Sequence, residues 1–356
     1  MYNPMKKFLI ILLSVLFTQT NGQDLPHVYF TSDISPEGLE KVFSYIKDEC
    51  QGKIAFKVHF GEEGNRNFLS PELMRELVLD LQATLVETNV LYVSKRRYTE
   101  SHIQLAKDHG FDYAPIDILD SSGDSVVFIK TDHFDKVITG KNFFLYDTYV
   151  IFSHFKGHGS AGFGGAIKNV GMGLASIAGK MALHASDIPV ASPSKCINCG
   201  VCVRECPADA ITLNPLTIDK TKCIGCAKCI GECPVRAFSI PWGSTPENVF
   251  LERLVEYTMV LSSLRKMVYV NVLANISRSC DCSAHAPKPF MEDIGILVST
   301  DIVAIEKASH DLVDMKCQCD DAFVKEGNPS GKHQINYAFE KNMGNISYIL
   351  IDINKD

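Results

Sequence analysis

The sequence predicts an α/β fold: a domain built on a mostly parallel sheet, split in sequence by a small α+β module rich in cysteine. Three observations carry this. Strand-like and helix-like stretches alternate from His27 to Gly110 and resume from Pro246 to Ile353, as when strands are joined by helical crossovers. Between these stretches, eight of the thirteen cysteines crowd into residues 196–233. The hydrophobic fraction of 46% and charged fraction of 22% are those of an ordinary globular chain, and 356 residues suffice for more than one domain. The expected organisation is a leader over residues 1–22, the first part of the sheet domain over 23–192, the module over 193–241, and the second part over 242–356.

The leader comes first. Lys6 and Lys7 precede the apolar run Phe8 to Phe17, and Thr20 and Gly22 offer small residues before a cleavage point near Gln23, as in a secretory signal peptide. A first buried strand is the alternative. Export to the periplasm or cell envelope follows as the expectation, with a cytoplasmic location as its alternative, since the basic pair is Lys-Lys and not the twin arginine of the route for folded proteins. Losing residues 1–22 removes two lysines and no acid from a chain of net charge -7, and an acidic chain without a basic stripe is a poor nucleic-acid binder. No apolar stretch reaches bilayer length, so no transmembrane span is expected in the mature chain.

His27 to Thr31 reads as a strand, and Ser35 then caps a helix with Pro36 at its first position and Leu39, Val42, Phe43 and Ile46 on one face. Ile54 to Phe60 is the next strand, followed by a Gly61-Glu-Glu-Gly64 turn and a helix opened by Ser70-Pro71. Thr84 to Val93 returns to strand character, and His102 to His109 is a short helix ended by Gly110. Tyr149 to Phe155 is a buried strand that runs into the glycine-rich stretch from Lys156 to Gly173. Loops at strand ends are where α/β sheets bind ligands, and Lys156, His158 and Lys168 suit an anion there. A flexible connection is the alternative, because neither a Gly-x-Gly-x-x-Gly turn nor a P-loop is present: five residues separate Gly173 from Gly179-Lys180, and Met181 follows. Downstream, Pro246 to Arg265 and Asp301 to Val313 read as helices, and Met267 to Leu273, Asp293 to Ser299 and Ser347 to Ile353 as strands.

The cysteine-rich segment holds two copies of one pattern. Cys196, Cys199, Cys202 and Cys206-Pro207 are followed by Cys223, Cys226, Cys229 and Cys233-Pro234, a repeat of 27 residues in which Ile197, Ile211 and Leu213 match Ile224, Phe238 and Ile240. Three thiolates spaced by two residues wrap one face of a 4Fe-4S cube, and the fourth, followed by proline, reaches across to the other cube. The expected ligand sets are thus Cys196, Cys199, Cys202 and Cys233 for one cluster and Cys223, Cys226, Cys229 and Cys206 for the second. Zinc sites and a disulfide scaffold are the alternatives. From Lys195 to Ile240 the chain resembles the bacterial two-cluster ferredoxins. That resemblance implies one-electron transfer through two 4Fe-4S clusters, with short strands at Ala210 to Leu213 and Ala237 to Ile240 packing over the cubes.

A second cluster, Cys280-Asp281-Cys282-Ser-Ala-His285, can hold a further metal ion on Cys280, Cys282 and His285, with Asp281 orienting a histidine or the metal from behind. Cross-linking with Cys317 and Cys319 is the other reading, and Cys50 reads as a packed thiol in a helix. The flanks resemble an uncharacterised bacterial and archaeal family catalogued as domain of unknown function 362. The match rests on His154-Phe-Lys156-Gly-His158, Gly162-Phe-Gly-Gly165-Ala-Ile-Lys168-Asn169, Gly179-Lys180 with His184, Cys280-Asp-Cys282 with His285, and Asp293 to Ser299. The resemblance implies a ferredoxin-like insertion between Pro193 and Pro241 and brings no reaction with it. The expected catalytic residues are Lys156, His158, Lys168, His184 and His285, with Cys282 also at the ligand. The function expected is an oxidoreductase passing single electrons between the clusters and a ligand in the α/β domain, served by a redox partner protein or a small-molecule donor or acceptor. Its alternatives are a dedicated electron carrier and a binding protein with structural clusters.

Overall fold

The computed structural model describes residues 25–355, so the expected leader lies outside the described residues. Its centre is an eight-stranded sheet: β1 (His27–Thr31), β2 (Ile54–Lys57), β3 (Thr84–Glu87), β4 (Ile116–Ile118), β5 (Thr148–His154), β6 (Lys266–Leu273), β7 (Gly295–Ser299) and β8 (Ile349–Asp352). Across the sheet they lie in the order β8-β1-β7-β6-β5-β2-β3-β4. Every neighbouring pair is parallel except the two made by β7, which runs against β1 and β6. The fold is therefore α/β on a mostly parallel sheet.

Strand composition explains the layering. All seven residues of β5 are buried, as in a parallel strand covered on both faces. Alternate side chains take opposite sides: Tyr149, Ile151 and Tyr269 join one core, with helices α6 (Glu247–Leu264) and α7 (Ile302–Cys317) over it. Val150, Phe152 and Val268 join the other, beneath α1 (Pro36–Phe43) and α2 (Pro71–Asp80). Ser35 caps α1 by accepting from the Gly38 amide at 3.0 Å. Three further helices matter for the site: α3 (Thr99–Asp108), α4 (Ala166–Gly171) and α5 (Ile177–His184).

Several boundaries differ from those expected, each because backbone groups find partners outside the ladder. β3 stops at Glu87 and not Val93: the Asn89 amide donates to Asp120 at 2.9 Å and Val90 to the Arg96 carbonyl at 3.0 Å, so the chain folds into a loop. β2 likewise ends at Lys57, short of Phe60. Cys50 is not in a helix; it follows a single 3-10 turn with extended backbone, half-buried against the core. The glycine-rich stretch is no loose connection. It forms a hairpin, Lys156–His158 against Gly162–Gly164, and then α4. What its glycines approach is mainly protein: a Cβ on Gly157 would sit 2.7 Å from the Arg278 carbonyl, and one on Gly165 would sit 2.4 Å from the Glu306 carboxylate.

Residues 190–240 fill part of the crossover between the adjacent parallel strands β5 and β6. They contain two antiparallel pairs, Val190–Ala191 with Phe238–Ser239 and Ile211–Thr212 with Thr217–Ile218, and two short helices, Val201–Arg204 and Lys228–Glu232. The strands expected at Ala210 to Leu213 and Ala237 to Ile240 shrink to two residues each because the amides of Ala210 and Ala237 donate to Cys206 Sγ and Cys233 Sγ, at 3.3 and 3.2 Å. Among the described residues no helix is long and apolar enough to cross a membrane.

Candidate functional site

The direction of strand addition reverses between β2 and β5. From β2 the chain adds β3 and β4 on one side, then returns to place β5 and β6 on the other. At such a switch point the crossovers diverge and a crevice opens at the carboxyl ends of the strands. A cavity lies there, with about 820 Å3 of space between protein atoms, part of it open to solvent. Lys57 and His59 reach it from the end of β2, Glu87 from β3, His154 from β5, and Lys156 and His158 from the hairpin that follows β5. Helices α4 and α5 add Lys168, Lys180 and His184.

Two buried carboxylates organise its floor. Glu87 accepts from Arg96 Nη2 at 2.8 and 3.0 Å, lies 2.9 Å from His102 Nε2 and sits 3.6 Å from Lys57 Nζ. Burial opposes its ionisation, but Arg96 and Lys57 hold its carboxyl well below the usual range. Asp281 lies 3.0 Å from His154 Nδ1 and 2.8 Å from Lys156 Nζ; burial raises it, and these two neighbours more than offset that, leaving it well below normal. The Gly61-Glu-Glu-Gly64 turn packs against this segment, with the Glu62 amide donating to the Asp281 carbonyl at 2.9 Å. Asp281 thus orients a histidine, as the sequence suggests, and that histidine is His154.

The remaining cations lack such partners. Lys180 spends its donors on Thr88 Oγ1 and the carbonyls of Asn89 and Ala175, the last two at 2.8 and 2.7 Å. The Lys168 ammonium makes no hydrogen bond or ion pair with any described residue, only its backbone carbonyl accepting from the Met172 amide. Burial, with Lys156 adding to it, pushes Lys168 down to about 7; burial pushes Lys180 down to about 7 against the pull of Asp120. Two imidazoles share a device that fixes their tautomer. His59 Nδ1 accepts from the Gly61 amide at 3.0 Å, and His158 Nδ1 accepts from the amides of Ser160 and Ala161 at 3.2 and 3.0 Å. Each ring therefore carries its proton on Nε2. Burial keeps both neutral, lowering His59 together with Arg96 and lowering His158 together with Lys168. His184 lies between Phe250, stacked at 5.1 Å, and Trp242, edge-on at 4.8 Å, and burial takes it down to about 3.

Two smaller cavities lie in residues 189–240. One is lined by Cys206, Cys223, Cys226 and Cys229, with Ile211 and Ile218 beside them. The other is lined by Cys196, Cys199, Cys202 and Cys233, with Leu213 and Phe238. All eight thiols are unbonded to one another, and burial followed by the neighbouring thiols pushes Cys229 up to about 12. The loop after β3 joins this region to the large cavity. Arg97 donates to the Leu91 carbonyl at 2.6 Å and to the Ala227 carbonyl at 3.1 Å, and Tyr98 donates to Gly231 at 2.9 Å. Leu91 packs in the same apolar cluster as Ala227 and Ile230 while also lining the large cavity.

His285 is not part of the site. Asn65 and Asn67 bind the Ser283 and Pro287 carbonyls at 2.7 Å each, leaving His285 exposed on the bend between them and outside the cavity lining. The triad of Cys280, Cys282 and His285 is therefore not assembled. Cys280 and Cys282 are bonded to each other, as are Cys317 and Cys319, and the imidazole beside the first pair is His158. Lys57, His59, Glu87 and Arg96 belong to the site although no motif in the sequence points to them, and Lys180 joins them from the Gly179-Lys180 pair of the family match. For Lys57 and Glu87 the available signal is a charge closing an otherwise apolar strand; Arg96 carries no local signal.

A family model described as a domain of unknown function (DUF362) matches residues 54–311, well over half of the chain. Lactate racemase apoprotein from Thermoanaerobacterium thermosaccharolyticum is similar at 16% identity and a TM-score of 0.32, over 44% of this chain and 41% of that one. A crystal structure of a protein from Thermotoga maritima is similar at 11% identity and a TM-score of 0.38, over 80% of this chain and 59% of that one. The chain thus covers less than two thirds of either structure. No curated protein matches it.

Proposed function

Because the chain belongs to the family described as domain of unknown function (DUF362), a description that carries no reaction, we propose its function from its own residues: an iron-sulfur redox protein that passes single electrons to or from a ligand in the large cavity. The clusters would be held by Cys196, Cys199, Cys202 and Cys233 and by Cys223, Cys226, Cys229 and Cys206. The carrying observation is the loop from Thr88 to Tyr98, which lines the ligand cavity on one side and binds the Ala227 and Gly231 carbonyls, within the second copy of the cysteine pattern, on the other.

The thiols fit such a group. One zinc ion bonded to four sulfurs would draw them to about 3.8 Å apart. Among the described residues, none of these eight joins a set of three ligand atoms all within 4.8 Å, so the spacing is wider than a single ion needs. Amides donating to Cys206 and Cys233 and apolar walls of Ile211 and Phe238 are the surroundings that sulfur-ligated clusters use. Bound there, the clusters supply one-electron storage. The protein's part is to exclude water, hold the ligand and keep charge near it fixed through Glu87 and Asp281.

Anaerobic purification with iron and acid-labile sulfide counts tests the reading, together with paramagnetic resonance during a redox titration. About eight irons and two interacting reducible centres are expected per chain. Colourless protein containing zinc, or no metal, overturns it. We also propose that the protein is exported, on the leader pattern of residues 1–22; a mature protein that still begins at Met1 argues against this.

A further inference from the structure

We propose that the large cavity takes an organic oxyanion, a carboxylate or phosphate ester with an apolar remainder, whose charged group is held by the Lys168 ammonium and the Nε2-H groups of His59 and His158. The inference deepens the proposed function, resting on that reading's assignment of the cavity as the ligand site. It is carried by a count of charges at the cavity. Glu87, with Glu62 at 3.7 Å from Arg96, answers Arg96 and Lys57; Asp281 answers Lys156. No carboxylate of the described residues pairs directly with Lys168, which Asp281 reaches only at longer range, and Lys180 hydrogen-bonds only to neutral acceptors. The cavity is short of negative charge at the one lysine whose donors are unspent.

The two histidines make the site directional. Their Nδ1 atoms are occupied by backbone amides, so each offers a donor and no acceptor from Nε2. A cation or a metal ion meets no lone pair there, while a carboxylate or phosphate oxygen accepts from both. The bonded state of Cys280 and Cys282 likewise withholds thiolates from a metal near His158. Val90, Leu91, Phe152, Met172 and Trp242 make up much of the rest of the lining, which suits an apolar body attached to the anionic group.

The test is calorimetric titration of the anaerobically purified full chain with four probes at constant ionic strength: acetate, benzoate, inorganic phosphate and phenyl phosphate. Benzoate or phenyl phosphate binding more tightly than its apolar-free counterpart supports the proposal, and which of the two wins identifies the head group. The Lys168→Gln variant should weaken that binding about tenfold or more, as loss of a charge-assisted bond does. Lys168→Arg should retain most of it, and Lys107→Gln, on the exposed face of α3, should change nothing. Iron content, counted in every sample, reports whether the variants keep their fold. No binding by any probe in iron-loaded protein overturns the inference while leaving the redox reading intact, as does undiminished binding in Lys168→Gln. Binding by protein that comes through anaerobic purification without any iron supports the inference and sinks the redox reading instead.

Discussion

At the scale of single residues, Asp281 is the most consequential side chain in the site. It is 1% exposed and serves two partners at once, Lys156 at 2.8 Å and His154 at 3.0 Å. Asp281→Asn removes the charge and leaves the buried Lys156 unanswered, which should lower stability by roughly 3–5 kcal/mol in a denaturant titration. The sequence shows Asp281 only as the middle of a Cys-x-Cys; its partners stand more than 120 residues earlier, on another strand. The lysines make a second prediction. Folded Lys168 and Lys180 sit at about 7 and Lys57 at about 8, so from pH 7 upward the folded chain releases protons that the unfolded chain keeps until about 10.4. Stability should therefore rise from pH 7 to about 8.5, before unfolded cysteines begin to ionise. Below 7 the trend is mixed, because Glu306, raised to about 7 by burial, acts against the histidines. Anion affinity should run the opposite way and fall as Lys168 discharges amid Lys156, Lys57, Arg96 and Asp281. Melting temperatures across pH 7 to 8.5, with and without benzoate, check both trends.

At the scale of elements, the loop after β3 matters most and was least legible. The stretch Thr84 to Val93 predicts one continuous strand, yet tertiary partners take the amides of Asn89 and Val90 and turn the chain across the cavity. The cysteine repeat stands at the other extreme, because its information is local: spacing alone groups thiols that the fold then gathers around two cavities. Arg97 ties these elements together. It is 5% exposed and binds carbonyls of Val90, Leu91 and Ala227. Arg97→Ala leaves three buried carbonyls short of a donor, a loss of roughly 2–4 kcal/mol confined to the contact between loop and cysteine unit. Hydrogen exchange should speed up at residues 88–98 and 226–232 while β5 and β6 keep their protection. Uniform acceleration across the chain would show that Arg97 supports the whole fold and not this contact.

At the scale of the whole molecule, the sheet domain and the cysteine unit differ in how they are held. The sheet has two extensive cores on opposite faces, whereas residues 190–240 share one small apolar cluster that borrows Leu91 and Met181 from outside. Alternation of strand and helix signals made the sheet legible from sequence, but not the switch point, which depends on the order of strands in space. A unit this small, with paired strands of two residues each, lacks the apolar burial to stand alone and should draw its stability from bound metal. Iron removal by chelator and oxidant should therefore abolish exchange protection across residues 190–240. β5 and β6 should stay protected, because the strands that flank this crossover are paired directly with each other along seven residues. The floor of the ligand cavity, built by Glu87 and Asp281 from the sheet side, should persist with them. Benzoate binding should then survive iron loss in weakened form, since Leu91 would lose the surface it packs against while Lys168, His59 and His158 would not. Complete loss of anion binding together with loss of protection in β5 would show instead that the molecule folds as one cooperative body.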